Sequence, residues 1–184
     1  MNKQSIQDFI LKNPNNLSIA AAVQEAWFDV RQKIVSRFCD RLDSRLGKRF
    51  RGWKFQRWER FFVDAWPCYY FWKSPWDRQY YICLECGNYG DTVSFGVMRD
   101  KDYIAKRQLS QELLDVVREL YPSASSNSWW EAGVPMRSPA ADWRKPEVLW
   151  RIHKDEKFLE EVAQQLTEVA NVCEPIVDRL ARTK

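Results

Sequence analysis

At 184 residues and 45% hydrophobic content, the chain is long enough for one complete core and short for two. It has no run of 18 apolar residues, which excludes a membrane-spanning helix, and its five cysteines at 39, 68, 83, 86 and 173 fit a reduced setting better than a disulfide framework. Net charge is only +4, yet residues Arg31 to Arg60 hold 11 Lys/Arg against three acids, so a basic region sits inside an otherwise balanced chain.

The first 16 residues read as a short helix or an ordered arm ending at Asn13-Pro14-Asn15-Asn16. One lysine ahead of a brief apolar patch does not make a signal peptide, and the expected location is cytoplasmic. From Ser18 the pattern is helical. Ile19, Val23, Trp27, Val30, Ile34, Phe38, Leu42 and Leu46 recur every three or four residues, with Ser18 as N-cap and Gly47 just past the end. On another face Arg37, Arg41 and Arg45 form a basic stripe at i, i+4, i+8. The predicted helix spans 18–46.

Residues 50–99 hold the densest aromatic region. Phe50 to Tyr81 contains 14 of the 27 aromatic residues, interleaved at its start with Arg51, Lys54, Arg57 and Arg60. Short alternating runs broken by turns predict an antiparallel sheet of about four strands, near 52–62, 67–73, 79–86 and 92–99. Ser74-Pro75-Trp76-Asp77 and Gly87-Asn88-Tyr89-Gly90-Asp91 supply connections. In the third strand Tyr80, Ile82, Leu84 and Cys86 share one face, while Tyr81, Cys83 and Glu85 share the other. One face of this sheet is thus apolar and the other mixed, as for a sheet covered on one side.

A helix over 103–121 follows, capped at Ser110, with Leu113, Leu114, Val117 and Leu120 inward. Residues 122–147 read as a long irregular loop pinned by Trp129, Trp130 and Trp143. The last helix, 155–182, carries Leu159, Val162, Leu166, Val169, Cys173, Ile176 and Leu180 at spacings of three and four, an a/d seam. Pro175 is expected to kink or break it near Asn171. The seam can pack on the first long helix, against Ile19, Val23, Val30 and Ile34, or join two copies, so the chain is a monomer or a homodimer. The whole is an α+β fold, one domain over 1–184, with the sheet flanked by the N-terminal, middle and C-terminal helices.

No catalytic motif is present. The glycines match no phosphate-binding loop, and His153 has no nucleophile beside it. Cys83 and Cys86 have half the spacing of a zinc site, but residues three apart on a strand face opposite ways, so no metal and no cofactor are expected. Asp64, Glu85 and Asp91 are the acids that could hold Mg²⁺, with Lys54 or Lys73 as an assisting lysine.

The stretches Tyr80-Tyr81-Ile82-Cys83-Leu84-Glu85, Ser128-Trp129-Trp130 and Ala141-Asp142-Trp143, between a long first helix and a final amphipathic one, resemble the region appended to the nuclease core in some bacterial and phage PD-(D/E)XK-superfamily proteins. The resemblance covers most of residues 20–182. It implies association with nucleic-acid metabolism or phage defence, and not cleavage. That family's E-x-K is missing, since Glu85 is followed by Cys86 and Gly87. The expectation is a non-enzymatic binding module for nucleic acid or an acidic protein partner. Arg37, Arg41, Arg45, Lys48, Arg49, Arg51, Lys54 and Arg57 would meet charge, and Trp53, Trp58 and Trp76 would stack. The alternative is a divergent nuclease on the three acids.

Overall fold

A computed structural model describes residues 2–58, 62, 64–77, 79–100 and 109–182. Arg60 and the start of the expected 103–121 helix lie outside these. The sheet has five strands rather than four: β1 Lys54–Arg57, β2 Cys68–Trp72, β3 Tyr80–Gly87, β4 Thr92–Arg99 and β5 Trp130–Pro135. They form an antiparallel meander in sequence order. The fifth strand lies in the stretch expected to be irregular. Its sequence, Trp-Glu-Ala-Gly-Val-Pro, carries a glycine, a proline and a charge, all depleted in strands. Pairing with β4 decides its state.

Among the described residues the helices are α1 Lys3–Leu11, α2 Pro14–Arg49, α3 Gln111–Leu120, α4 Pro146–Lys154 and α5 Glu156–Arg182. Helix α2 starts earlier than Ser18 because Asn13 caps it, its side-chain oxygen accepting from the Asn16 amide at 2.9 Å, and Pro14 takes the first helical position. Gly47 does not stop it. The helix runs on to Arg49, and the first glycine with positive φ comes after it, Gly52 at 82°. Helix α5 is capped by Asp155 and passes through Pro175 without ending. Helix α4 was not foreseen.

The sheet is covered on one face. Leu159, Val162, Leu166, Val169, Cys173 and Ile176 of α5 are buried with Phe38, Leu42, Leu46, Tyr69, Phe71, Ile82, Leu84, Phe95 and Val97 in one core cluster. The a/d seam therefore packs within the chain, in the sheet's core. Its expected counterparts Ile19, Val23 and Val30 are exposed instead, and the buried part of α2 is Val35 to Leu46. Dimensions give the reason. A 36-residue helix is about 54 Å long, whereas five strands about 4.8 Å apart, at most eight residues long, offer a wall of roughly 20 by 26 Å. Only one end of α2 can lie on it. In α3, Leu113, Leu114 and Val117 face inward as expected, but Leu120 is exposed.

The arginines of α2 lie along α5, which runs parallel to it. Arg41 meets Glu156 at 2.6 Å and Arg45 meets the same carboxylate at 2.8 Å. Arg45 and Arg49 both pair with Glu160, and Arg49 reaches Thr167 at 3.0 Å. Arg49 holds the Glu160 carboxyl below its usual range. Both helices thus present a four-residue repeat of charge, and the stripes interlock. The Arg41→Glu/Arg45→Glu variant is expected to lose about 1–2 kcal/mol, since exposed pairs contribute about 0.2–1 kcal/mol each and reversal adds repulsion. Thermal melts would show a drop of a few degrees, and adding Glu156→Arg/Glu160→Arg should restore most of it.

Candidate functional site: an aromatic cleft on the open sheet face

The strand register defines the face that none of the described helices covers. Directly opposed residues share a face, so Trp58, Cys68, Glu85, Ser94 and Pro135 line up across it, Trp58 by its amide bond to the Cys68 carbonyl at 2.8 Å. The next row is Gln56, Tyr70, Cys83, Gly96 and Gly133, and the one beyond it includes Tyr81, Met98 and Trp130. Trp130 reaches this face through an irregularity. Val97 pairs with Ala132 but Met98 pairs with Trp130, so Glu131 is an extra residue that turns Trp130 over. Small residues occupy the middle of the face and rings stand around it, which makes a cleft.

The cleft measures about 520 Å³, within the usual range for ligand sites. Its walls are Trp58, Trp66, Trp129, Trp130, Tyr70 and Tyr81, with Glu85 and Asp100 among the polar groups. Trp58, Trp66 and Trp129 keep 50%, 59% and 46% of their surface exposed, whereas Trp130 is buried with Cys68 and Cys83 in a small second cluster. Each ring has a local reason for its place. A side chain at position 87 would come within 2.5 Å of Trp66, and one at 133 within 2.9 Å of Trp130, so these rings lie over glycines. Asn127 accepts from the backbone amides of both Trp129 and Trp130 at 2.8 and 2.9 Å.

Glu85 is 9% exposed. The Cys68 thiol donates to it at 3.8 Å, and the Trp130 side chain is a second hydrogen-bond partner. Burial pushes its carboxyl above the usual range, and those two hydrogen bonds only partly oppose this. At one end of the cleft Tyr81 donates to Asp100 at 3.1 Å. Arg99, buried, pairs with Glu131 at 3.5 Å.

The residues expected to bind are dispersed. Arg41, Arg45 and Arg49 are engaged with α5. Arg57 pairs with Asp40 at 2.5 Å, and Lys54 pairs with Asp77 at 3.8 Å. Arg37, Lys48 and Arg51 are exposed, Arg37 near His153, whose pKa is lowered by burial and by Lys154, Arg37 and Arg41. Trp76 cannot stack on a ligand. It is fully buried, and its indole N–H donates to Asp178 at 2.6 Å. Trp53 packs on it at 4.9 Å. Of the three tryptophans expected to stack, Trp58 alone lines the cleft.

The three candidate acids do not converge. Glu85 is on the open face, Asp64 lies in the connection after β1, and Asp91 accepts from Asn88 at 2.8 Å and faces Arg144 at 3.6 Å. Among the described residues no three His, Cys, Asp or Glu side chains are placed to hold a metal. Lys73 is committed to Glu174 and Asp178 of α5. Cys83 and Cys86 belong to different clusters on opposite faces. The cleft residues missed in the sequence are Trp66, Tyr70, Tyr81, Asp100, Trp129 and Trp130. The period-two alternation of β2 and β3 already placed Tyr70 with Cys68, and Tyr81 with Glu85, on the second face.

Two outcomes follow from this floor. Gly96 sits at φ 151°, and a Cβ there would lie 2.0 Å from the Ala132 carbonyl oxygen. Gly96→Ala is therefore expected to cost at least about 2 kcal/mol, read as a fall in denaturant midpoint. Because the folded carboxyl of Glu85 has the higher pKa, the native state binds more protons there. Its contribution to stability falls as pH rises through the window from the ordinary glutamate value to the raised one. Glu85→Gln removes this term, so its melting temperature should exceed the parent's at neutral pH, with the gap closing below about pH 4. Comparison of the chain with protein-family models, with curated proteins and with solved structures gave no match.

Proposed function

We propose that this chain is a non-enzymatic binding protein that takes a protein partner in the aromatic cleft of its open sheet face. The observation that carries this reading is the set of half-exposed tryptophans, Trp58, Trp66 and Trp129, around one cleft on a face that none of the described helices covers. Exposed tryptophans cost solvation and are not needed for the core, which lies on the other side. Buried in an interface, single Trp or Tyr side chains can each be worth 2 kcal/mol or more.

A nucleic-acid ligand is the weaker fit. Phosphate binding needs cations free to exchange counterions, and five of the eight basic residues considered are paired with acids of the same chain. The only described cation lining the cleft, Arg99, also faces Glu131. A role in phage defence or counter-defence is part of the proposal and rests on the sequence resemblance.

The test is selection of peptides from a random displayed library on the intact chain, with labelled DNA and RNA assayed in parallel at low salt. Selected peptides should lose about 30-fold in affinity on Trp129→Ala or Trp66→Ala, the scale of a 2 kcal/mol contact, and be indifferent to Arg45→Glu. Peptides indifferent to both tryptophans, or salt-dependent nucleic-acid binding lost with Arg45→Glu, would overturn it.

A further inference from the structure

The cleft has a charge character as well as a shape. Its walls are ring faces, which carry the negative end of the aromatic quadrupole. Its floor holds the Glu85 carboxyl, and Asp100 stands at its end. Arg99, the described cation in the lining, has Glu131 beside it. We infer that the cleft receives an alkylammonium group, seated among Trp58, Trp66 and Trp129 with its charge toward Glu85. This inference rests on the reading of the cleft as the binding site and names the chemistry of what enters it.

Three classes of ligand can be compared on the same geometry. An anion would meet the Glu85 carboxyl and the negative faces of the rings, and it loses on both counts. A neutral apolar group would gain ring contact. It would also seal Glu85 further from water without giving its charge a partner, and burying an unpaired charge is costly. A cation gains from both features. An ammonium over an aromatic face is worth about 0.5–1 kcal/mol when exposed and about 2 or more when desolvated, and its charge compensates the carboxylate that the closing ligand would otherwise strand.

The surroundings of Glu85 fit a missing cation. The groups facing it are the Cys68 thiol from β2 and the Trp130 side chain from β5, both neutral hydrogen-bond donors, with Cys83 two residues away on its own strand. Burial holds its carboxyl above the usual range in the empty cleft. An ammonium beside it would reverse that shift, so binding should release a proton and tighten as pH rises through the raised range.

A free small molecule and a lysine or methyl-lysine side chain share this chemistry. The intact chain is titrated with choline and with its neutral isostere 3,3-dimethylbutan-1-ol at constant ionic strength, followed by tryptophan fluorescence and indole N–H shifts. Choline should bind at least about tenfold tighter than the isostere. Glu85→Gln should cut that preference to the few-fold that the rings alone supply, while Trp129→Ala weakens both ligands. Peptides carrying one trimethyllysine, one lysine or one norleucine then identify the source. A methyl-lysine peptide far tighter than choline assigns the group to a protein partner, and choline alone binding as well assigns it to a small molecule. Equal binding of choline and isostere, or a preference undiminished in Glu85→Gln, overturns the ammonium assignment while leaving the binding reading intact. No response from any of these probes, together with selected peptides indifferent to Trp129, overturns both.

Discussion

The row of apolar side chains that α5 lays across the sheet governs the rest of the molecule. Leu159, Val162, Leu166, Val169, Cys173 and Ile176 are all buried against Ile82, Leu84, Phe95 and Val97 and their neighbours. Burying one large aliphatic side chain is worth about 1.5–3 kcal/mol, whereas each exposed arginine–glutamate pair between α2 and α5 contributes about 0.2–1 kcal/mol. The seam therefore decides that α5 docks on the sheet, the buried Val35, Phe38, Leu42 and Leu46 decide which face α2 turns inward, and the paired charges add to its register against α5. A parallel arrangement of two long helices needs a long connection between them, and the sheet is that connection.

Because the seam and the packed end of α2 use one face of the sheet, none of the described helices covers the other face, and side chains of the sheet itself pack over it. Tyr70, Trp72 and Tyr81 pack on one another with ring centroids 5.1 to 5.7 Å apart. Trp130 covers Cys68 and Cys83. The closure stops where glycines replace side chains, and the cleft is what remains. Its floor is hydrogen-bonded strand backbone, so the cleft's shape is set by the most constrained part of the fold.

Much of this was legible in the sequence, and the failures have a common origin. The period of α5, the alternation of β3 and β4, and the one-sided character of the sheet all follow from local spacing. The basic stripe of Arg37, Arg41 and Arg45 was equally visible, but so was an acidic repeat at Glu156 and Glu160. No local rule says that residues more than 100 positions apart will lie side by side. Trp76 carried no mark distinguishing it from Trp58. Asp178 and the packing of Trp53 made one core and left the other at the cleft. Trp66 and Trp129 converge only because β5, itself hidden by a glycine and a proline, closes the meander, and because one extra residue at Glu131 turns Trp130 over.

The acids of the described structure also separate by what they face. Asp40 has Arg57, Asp178 has Lys73 and the Trp76 indole, Glu156 and Glu160 have the α2 arginines, and the buried Glu131 has Arg99. Glu85 is nearly as buried as Glu131, yet it faces a thiol and an indole. An apolar residue of similar size there would pack against Trp130 and Cys68 with no desolvation cost, so stability alone does not account for a carboxyl at this position. A carboxyl at the bottom of an open, ring-walled cleft is accounted for if its partner arrives from outside. The same placement makes the empty site less stable and the filled one more so, which is how a binding site built on a rigid sheet can still register occupancy.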